Sequence, residues 1–220
     1  MIGDLMRHIP LIVAMVLVVA ACSLTNKFNK TETSNSNSNS NSSSTSSTGN
    51  PSKIGEDPVE KPAPTAAQTA ALANGQDVKW DEQGLTWTLP AGWKKQSVSN
   101  TLFNYSTGTE AFLIVSISPM APDFPTEISL KASHEAAKVR MKNGEVDELK
   151  WLELDGVRGV EFRESKPQMA GDIRRLQWMT YRKFAGQTQL VNFILSGNGD
   201  KFTKHEDELY GILFSTKLVH

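Results

Sequence analysis

The chain has 220 residues, with 23 Lys and Arg against 24 Asp and Glu, a net charge of −1 and a single cysteine. That balance lacks the basic excess that nucleic acid attracts, so no nucleic-acid partner is expected, and one cysteine excludes an intramolecular disulfide, leaving the fold to rest on packing. Beyond residue 22 the composition divides: residues 23–77 hold little that could form a core, whereas all five Trp lie in 78–220, a length that suits one domain.

Arg7 precedes an apolar run that begins at Ile9 and ends in Val19-Ala20-Ala21-Cys22. A short basic lead, about a dozen apolar residues and small residues at the end are the layout of a secretory signal, too short to span a bilayer. Val19, Ala20, Ala21 and Cys22 resemble a bacterial lipobox. The resemblance implies diacylation of the Cys22 thiol and cleavage before it, making residues 1–21 a signal peptide and Cys22 the lipid-attachment site. A thiolate suits this role as a strong nucleophile, and two or more acyl chains give nearly permanent membrane anchoring where one gives only marginal binding. By the same resemblance Ser23, standing where Asp would favour inner-membrane retention, points to the outer membrane of a Gram-negative cell envelope.

Residues 22–77 read as a disordered Ser/Asn/Pro-rich tether. The stretch NSNSNSNSSSTSSTGN at 35–50 has no apolar residue to offset the entropy of ordering, and residues 51–64 carry four prolines. The Ala-rich stretch 63–73 has almost no apolar face and is counted with the linker. A flexible chain of this length reaches on the order of 40 Å.

The globular part, 78–220, opens with the alternating Gly84-Leu85-Thr86-Trp87-Thr88-Leu89, a strand broken by Pro90-Ala91-Gly92 before a second strand resumes at Trp93. Residues 101–106 and 111–118 form a second hairpin. In the latter strand Phe112 and Ile114 alternate with Leu113, Val115 and Ile117, so both faces need cover. Thr126 and Glu127 start a helix as N-cap and dipole complement, Gly144 stops it, and Ile128, Ala132, Ala136 and Val139 recur as its apolar face. Asp155-Gly156 joins strands 150–154 and 157–164 in a tight hairpin. Strands 173–184 and 188–196 form another, the second with Leu190 and Ile194 on one face and Val191, Phe193 and Leu195 on the other. A capping box of Thr203 and Glu206 opens a last helix to Phe214, with a Leu209, Ile212, Leu213 stripe. The expected class is α+β: a mainly antiparallel sheet with one helix on each face, an α/β/α sandwich whose five Trp are core.

Residues 84–94, Leu154-Asp155-Gly156-Val157-Arg158-Gly159 and Ile212-Leu213-Phe214-Ser215-Thr216-Lys217-Leu218 resemble the opening, middle hairpin and close of the PsbP-like superfamily, which includes DcrB-like lipoproteins. The resemblance covers residues 78–220 and rests on turn and core positions. It implies a PsbP-like fold and a non-catalytic binding or assembly role.

The chemistry-bearing residues point the same way. His134-Glu135-Ala136-Ala137-Lys138 has Lys where a zinc-protease helix needs its second His. Gly197-Asn198-Gly199-Asp200-Lys201 lacks the rest of a phosphate-loop or dinucleotide motif and reads as a turn before a helix. His205, Glu206, Asp207 and Glu208 read as first-turn helix capping rather than metal ligands. No activated nucleophile has a recognisable setting, so no enzyme activity, metal or cofactor is expected. Two surface leads are Met120 and Phe124, in a proline-rich loop where apolar side chains can anchor a partner, and Lys166, Arg174 and Arg175 around Met169, read as a solvated hairpin end. The expected function is a lipid-anchored envelope protein that binds or helps assemble a protein partner. The alternative is a module holding a small apolar or lipidic ligand between the sheet and a helix.

Overall fold

The computed structural model describes residues 57–219. The expected signal peptide, the lipobox-like residues ending in Cys22 and the expected tether up to residue 56 lie outside the described residues. In chain order the elements are β1 (Val59–Glu60), α1 (Ala66–Ala71), β2 (Gln76–Trp80), a 3-10 turn (Asp81–Gln83), β3 (Leu85–Leu89), β4 (Lys94–Val98), β5 (Leu102–Ser106) and β6 (Ala111–Pro119). There follow α2 (Thr126–Lys142), β7 (Val146–Leu154), β8 (Val157–Glu164), β9 (Ile173–Phe184), β10 (Gln187–Asn198), α3 (Gly199–Phe214) and β11 (Lys217–Leu218).

Eight strands form one sheet in the order β1-β7-β8-β9-β10-β6-β5-β4, antiparallel throughout except for the parallel β1–β7 pair. Local hairpins dictate most of these pairings. Asp155 (φ +48°) and Gly156 (φ +84°) take the left-handed conformations of a primed turn between β7 and β8. A second sheet, β11-β3-β2, joins the C-terminal strand to Leu85 and Thr86. It lies with α3 over one face of the large sheet, and Trp80, Leu85, Trp87 and Leu89 pack there with Phe103, Leu113, Val115, Trp178 and Phe193. Trp87 meets Phe103 edge-on at 4.5 Å and Phe193 at 5.7 Å. All five Trp are buried.

Helix α2 takes the opposite face, over β7, β8 and β9. The class is therefore the expected α+β sheet with helices on both faces, with four corrections. First, Ile128, Ala132, Ala136 and Val139 do not face the core: Ile128 is 71% and Val139 57% exposed. The inward face is Leu130, His134 and Ala137, packed on Val146, Trp151, Val160 and Phe162. His134 counts as polar in a hydrophobicity pattern, yet its ring stacks on Trp151 at 4.4 Å and serves as a flat core side chain.

Second, α3 begins at Gly199, four residues before the expected capping box. Gly197 and Gly199 let β10 run straight into the helix, because a Cβ there would meet Glu110 O at 2.8 Å and Pro167 Cγ at 2.9 Å. Thr203 consequently sits inside the helix, its hydroxyl on Gly199 O at 3.3 Å, and Glu206 turns to Arg163 instead of capping.

Third, residues 57–77, counted with the tether, are folded onto the domain. Thr65 and Gln68 form a reciprocal capping box that nucleates α1. That helix lies on α3 where Gly211 leaves room for it: a Cβ there would meet Gln68 O at 3.0 Å. Thr126, in turn, is the first residue of α2 and not its cap; Pro125 precedes it without a side-chain cap bond.

Candidate functional site

Alternate residues of neighbouring strands share a face. On the α3 face of β7 and β8 this brings Glu148 and Lys150 beside Glu161 and Arg163, with Lys150 directly opposite Glu161 in the register. Lys150 Nζ lies 2.6 Å from Glu148 Oε1 and 3.0 Å from Glu161 Oε2. Tyr210 of α3 donates its hydroxyl to Glu148 Oε2 at 2.7 Å. Arg163 Nη1 reaches Glu206 Oε1 at 2.7 Å, and its Nε donates to Asp147 Oδ1 at 2.8 Å. Arg174 Nη2 closes the cluster on Asp147 Oδ2 at 2.6 Å. A cleft of about 450 Å³ opens between this layer, α3 and the segment carrying β1 and α1.

Burial pushes the fully buried Glu161 carboxyl up to about 7, against the pull of Lys150. Burial also acts on Glu148, but hydrogen bonds from Lys150 and Tyr210 outweigh it and hold that carboxyl below its usual range. Burial and the neighbouring carboxylates raise the Tyr210 hydroxyl far above its ordinary value. A carboxyl near 7 is tuned for proton transfer. Glu161, however, is sealed behind Lys150 and does not line the cleft, so no reactant in that cleft meets it. The cationic and anionic groups of the cluster pair with one another, an ionic lock between sheet and helix in which the buried Glu161 oxygens have the charge of Lys150 beside them but no hydrogen-bond partner. Its sequence signal is the alternation that puts Glu148 and Lys150 of β7 and Glu161 and Arg163 of β8 on one face.

The two histidines singled out in the sequence stand on opposite faces of the sheet. Burial pushes His134 below its ordinary value, and Asp57 Oδ2 lies 3.9 Å from its Nε2. His205 bridges Glu208 Oε2 at 3.0 Å and Glu110 Oε2 at 3.1 Å, and Trp93 Nε1 donates to Glu208 Oε2 at 3.2 Å. Lys201 and Lys204 also hold Glu110, whose carboxyl their hydrogen bonds keep well below the usual range. His205, Glu206 and Glu208 thus clamp α3 to strands and hairpin, a mid-helix role that replaces the expected first-turn capping. Among the described residues no group of three or more His, Cys, Asp and Glu is arranged to hold a metal.

Met120 and Phe124 are half-buried in the loop between β6 and α2. The Phe124 ring lies 5.2 Å from Tyr181, and Met120 N donates to Thr188 O at 2.8 Å. Around the exposed Met169, Arg174 is buried on Asp147, Arg175 pairs with Glu164 and Lys166 with Asp200. The place expected for an apolar ligand, among the aromatic strands, is filled by Trp80, Trp87, Trp178, Phe103 and Phe193, all fully buried.

No protein-family model matches the chain, and no curated protein does. Among solved structures it is similar to cyanobacterial PsbP (CyanoP) from Synechocystis sp. PCC 6803, at 17% identity and a TM-score of 0.44 over 67% of this chain and 94% of that one. It is similar to LpqN, described as involved in cell envelope biogenesis of Mycobacterium tuberculosis, at 12% identity and a TM-score of 0.44 over 66% and 91% of the two chains. A third similar structure is the Saccharomyces cerevisiae Ran-binding protein Mog1p, at 12% identity and a TM-score of 0.40 over 66% and 96%. At these identities, and with TM-scores below 0.5, the likeness assigns neither a family nor a role to this chain.

Proposed function

We propose that the chain is a lipid-anchored, non-enzymatic protein of the bacterial cell envelope whose folded domain binds or helps assemble a protein partner. The observation that carries this is Val19-Ala20-Ala21-Cys22 at the end of a short apolar run, with the only thiol of the chain where acylation requires it. The folded part fits a binding role. Its densest ionisable clusters are spent on one another, and Met120 and Phe124 offer apolar side chains at a loop. Among the similar structures, one protein is described as Ran-binding and another as involved in cell envelope biogenesis; those descriptions are theirs.

The test is Cys22→Ser in the native chain, with metabolic labelling by an alkyne fatty acid. Label in the native protein and a longer, unlabelled precursor in the variant are expected. A variant that is processed normally and stays on the membrane would overturn the anchor. In-membrane cross-linking from Phe124 then reads the partner.

A further inference from the structure

At the outer edge of β7 the large sheet is closed by a strap and not by a hairpin. Every other pair in that sheet is antiparallel, whereas β1 runs parallel to β7, with Val59 opposite Trp151 and Glu60 opposite Leu152. The sequence keeps this pairing short. Asp57-Pro58-Val59-Glu60-Lys61-Pro62 places a proline on each side of it, and proline has no N–H to give a neighbouring strand. β7 offers more than the strap takes. Past the bulge between Val146 and Glu148 it runs unbroken to Leu154, and every second residue of that run turns its N–H and C=O to the outer side. Among the described residues β1 alone pairs there.

The strap's side chains grip both faces of the edge. Val59 stands beside Trp151 on the α2 side, still 40% exposed, and Asp57 Oδ2 meets Lys138 Nζ of α2 at 2.8 Å. Glu60, on the other side with Leu152, lies 3.9 Å from Lys150 Nζ and forms part of the cleft wall. Lys61 Nζ lies 3.1 Å from Glu153 Oε1. Asp57, Glu60 and Lys61 are each more than half exposed, and ion pairs so exposed hold little. The strap therefore belongs to the low-stability end of the fold, from which moving elements are drawn.

We propose that β1 is a placeholder, and that the β7 edge is where an extended segment of the partner protein adds as a strand once the strap lifts. Until then the strap keeps the edge from indiscriminate pairing. Its own residues show what the edge accepts: an acid facing Lys138, an aliphatic side chain beside Trp151 and an acid facing Lys150, at the spacing of Asp57, Val59 and Glu60. A proline-free segment of about seven residues pairs along the whole of 148–154, where the strap pairs at Trp151 and Leu152 alone. That difference lets it displace a strap that has the advantage of being tethered beside the edge. Backbone groups supply the affinity and alternate side chains choose the segment. The inference rests on the protein-partner reading and names the surface and the kind of segment it takes.

The experiment uses the full chain in detergent and a dye-labelled peptide of residues 54–63 carrying Pro58→Thr and Pro62→Thr, read by fluorescence anisotropy. Binding is expected, with the unsubstituted peptide at least about tenfold weaker because its prolines stop the ladder. Apparent affinity scales with the open fraction of the edge, so Asp57→Asn with Lys61→Gln in the chain should tighten binding about fivefold. Lys61→Cys with Glu153→Cys supplies a latch: oxidation is expected to weaken binding at least about tenfold and reduction to restore it, whereas neither single variant responds. Slowed amide exchange at 148–150 on adding peptide, with β4 unchanged, places the peptide on this edge. No binding to the Asp57→Asn, Lys61→Gln chain, or binding that the oxidised latch leaves unaltered, overturns the strand site. If in-membrane cross-linking from Phe124 still captures a protein, the partner reading survives that result; if it captures none, both fall.

Discussion

Replacing Glu161 by Gln should stabilise the protein above neutral pH and do nothing in acid. The folded chain holds the Glu161 proton to about 7, whereas an ordinary Glu releases it near 4.5. Between those values the folded state binds more protons than the unfolded one, so the Glu161 contribution is fully present below pH 4.5 and is lost as pH rises through 7. At about 1.4 kcal/mol per unit, the whole window amounts to about 3 kcal/mol. The attraction of Lys150, 3.0 Å away, is already contained in that value, because it is what keeps the carboxyl from rising further. Gln mimics the protonated acid at every pH. Urea unfolding at steps between pH 4 and pH 8.5 should therefore show a variant equal to the parent at pH 4 and more stable by about 3 kcal/mol at pH 8.5. A difference flat with pH, or a variant less stable at pH 8.5, would refute the reasoning and mean that the Lys150–Glu161 pair outweighs the desolvation of its carboxylate.

Gly159→Ala would place a Cβ 2.5 Å from the Trp178 indole and 2.7 Å from Met179 O, displacing a fully buried ring that donates to Leu152 O. A loss of about 3 kcal/mol in urea unfolding, with a changed near-ultraviolet Trp dichroism, is expected from overpacking plus one broken hydrogen bond. Asp155 combines a left-handed φ of +48° with an Oδ2 that accepts from Leu218 N at 2.9 Å. Asp155→Ala should cost about 2 kcal/mol and Asp155→Gly about half of that, since glycine keeps the left-handed turn while losing the tie to β11. Thr65→Ala removes the capping box of α1, and faster hydrogen exchange over residues 66–71 is expected, equivalent to about 1 kcal/mol of local opening, with the global unfolding midpoint unmoved.

What could be read in the sequence was local. The Asp155-Gly156 hairpin, the long β9–β10 hairpin and the burial of the Trp residues follow from turn chemistry and from alternation within a few residues. The second sheet was not legible, because Leu218 pairs with Leu85 across most of the domain and no turn announces it. The face of α2 was misread for a different reason. The helix carries apolar residues on two sides, and the side that wins does so through His134 on Trp151, an aromatic contact that hydropathy scores as polar. The ionic lock was half legible: strand parity places Lys150 and Glu161 inward, but Tyr210 and Glu206 join it through Glu148 and Arg163 only because α3 starts at Gly199 and packs over β10 and β9, next to those strands.

Both edges of the large sheet are guarded against strand addition. An open edge strand is a template for pairing with any other strand. Here β7 is covered at Trp151 and Leu152 by the two residues of β1, with Lys61 tied to Glu153 and Asp57 to Lys138. At the far edge, β4 exposes Lys94 and Lys95 and breaks its register between Lys95 and Ser97. A short strap, edge lysines and a bulge each discourage strand addition.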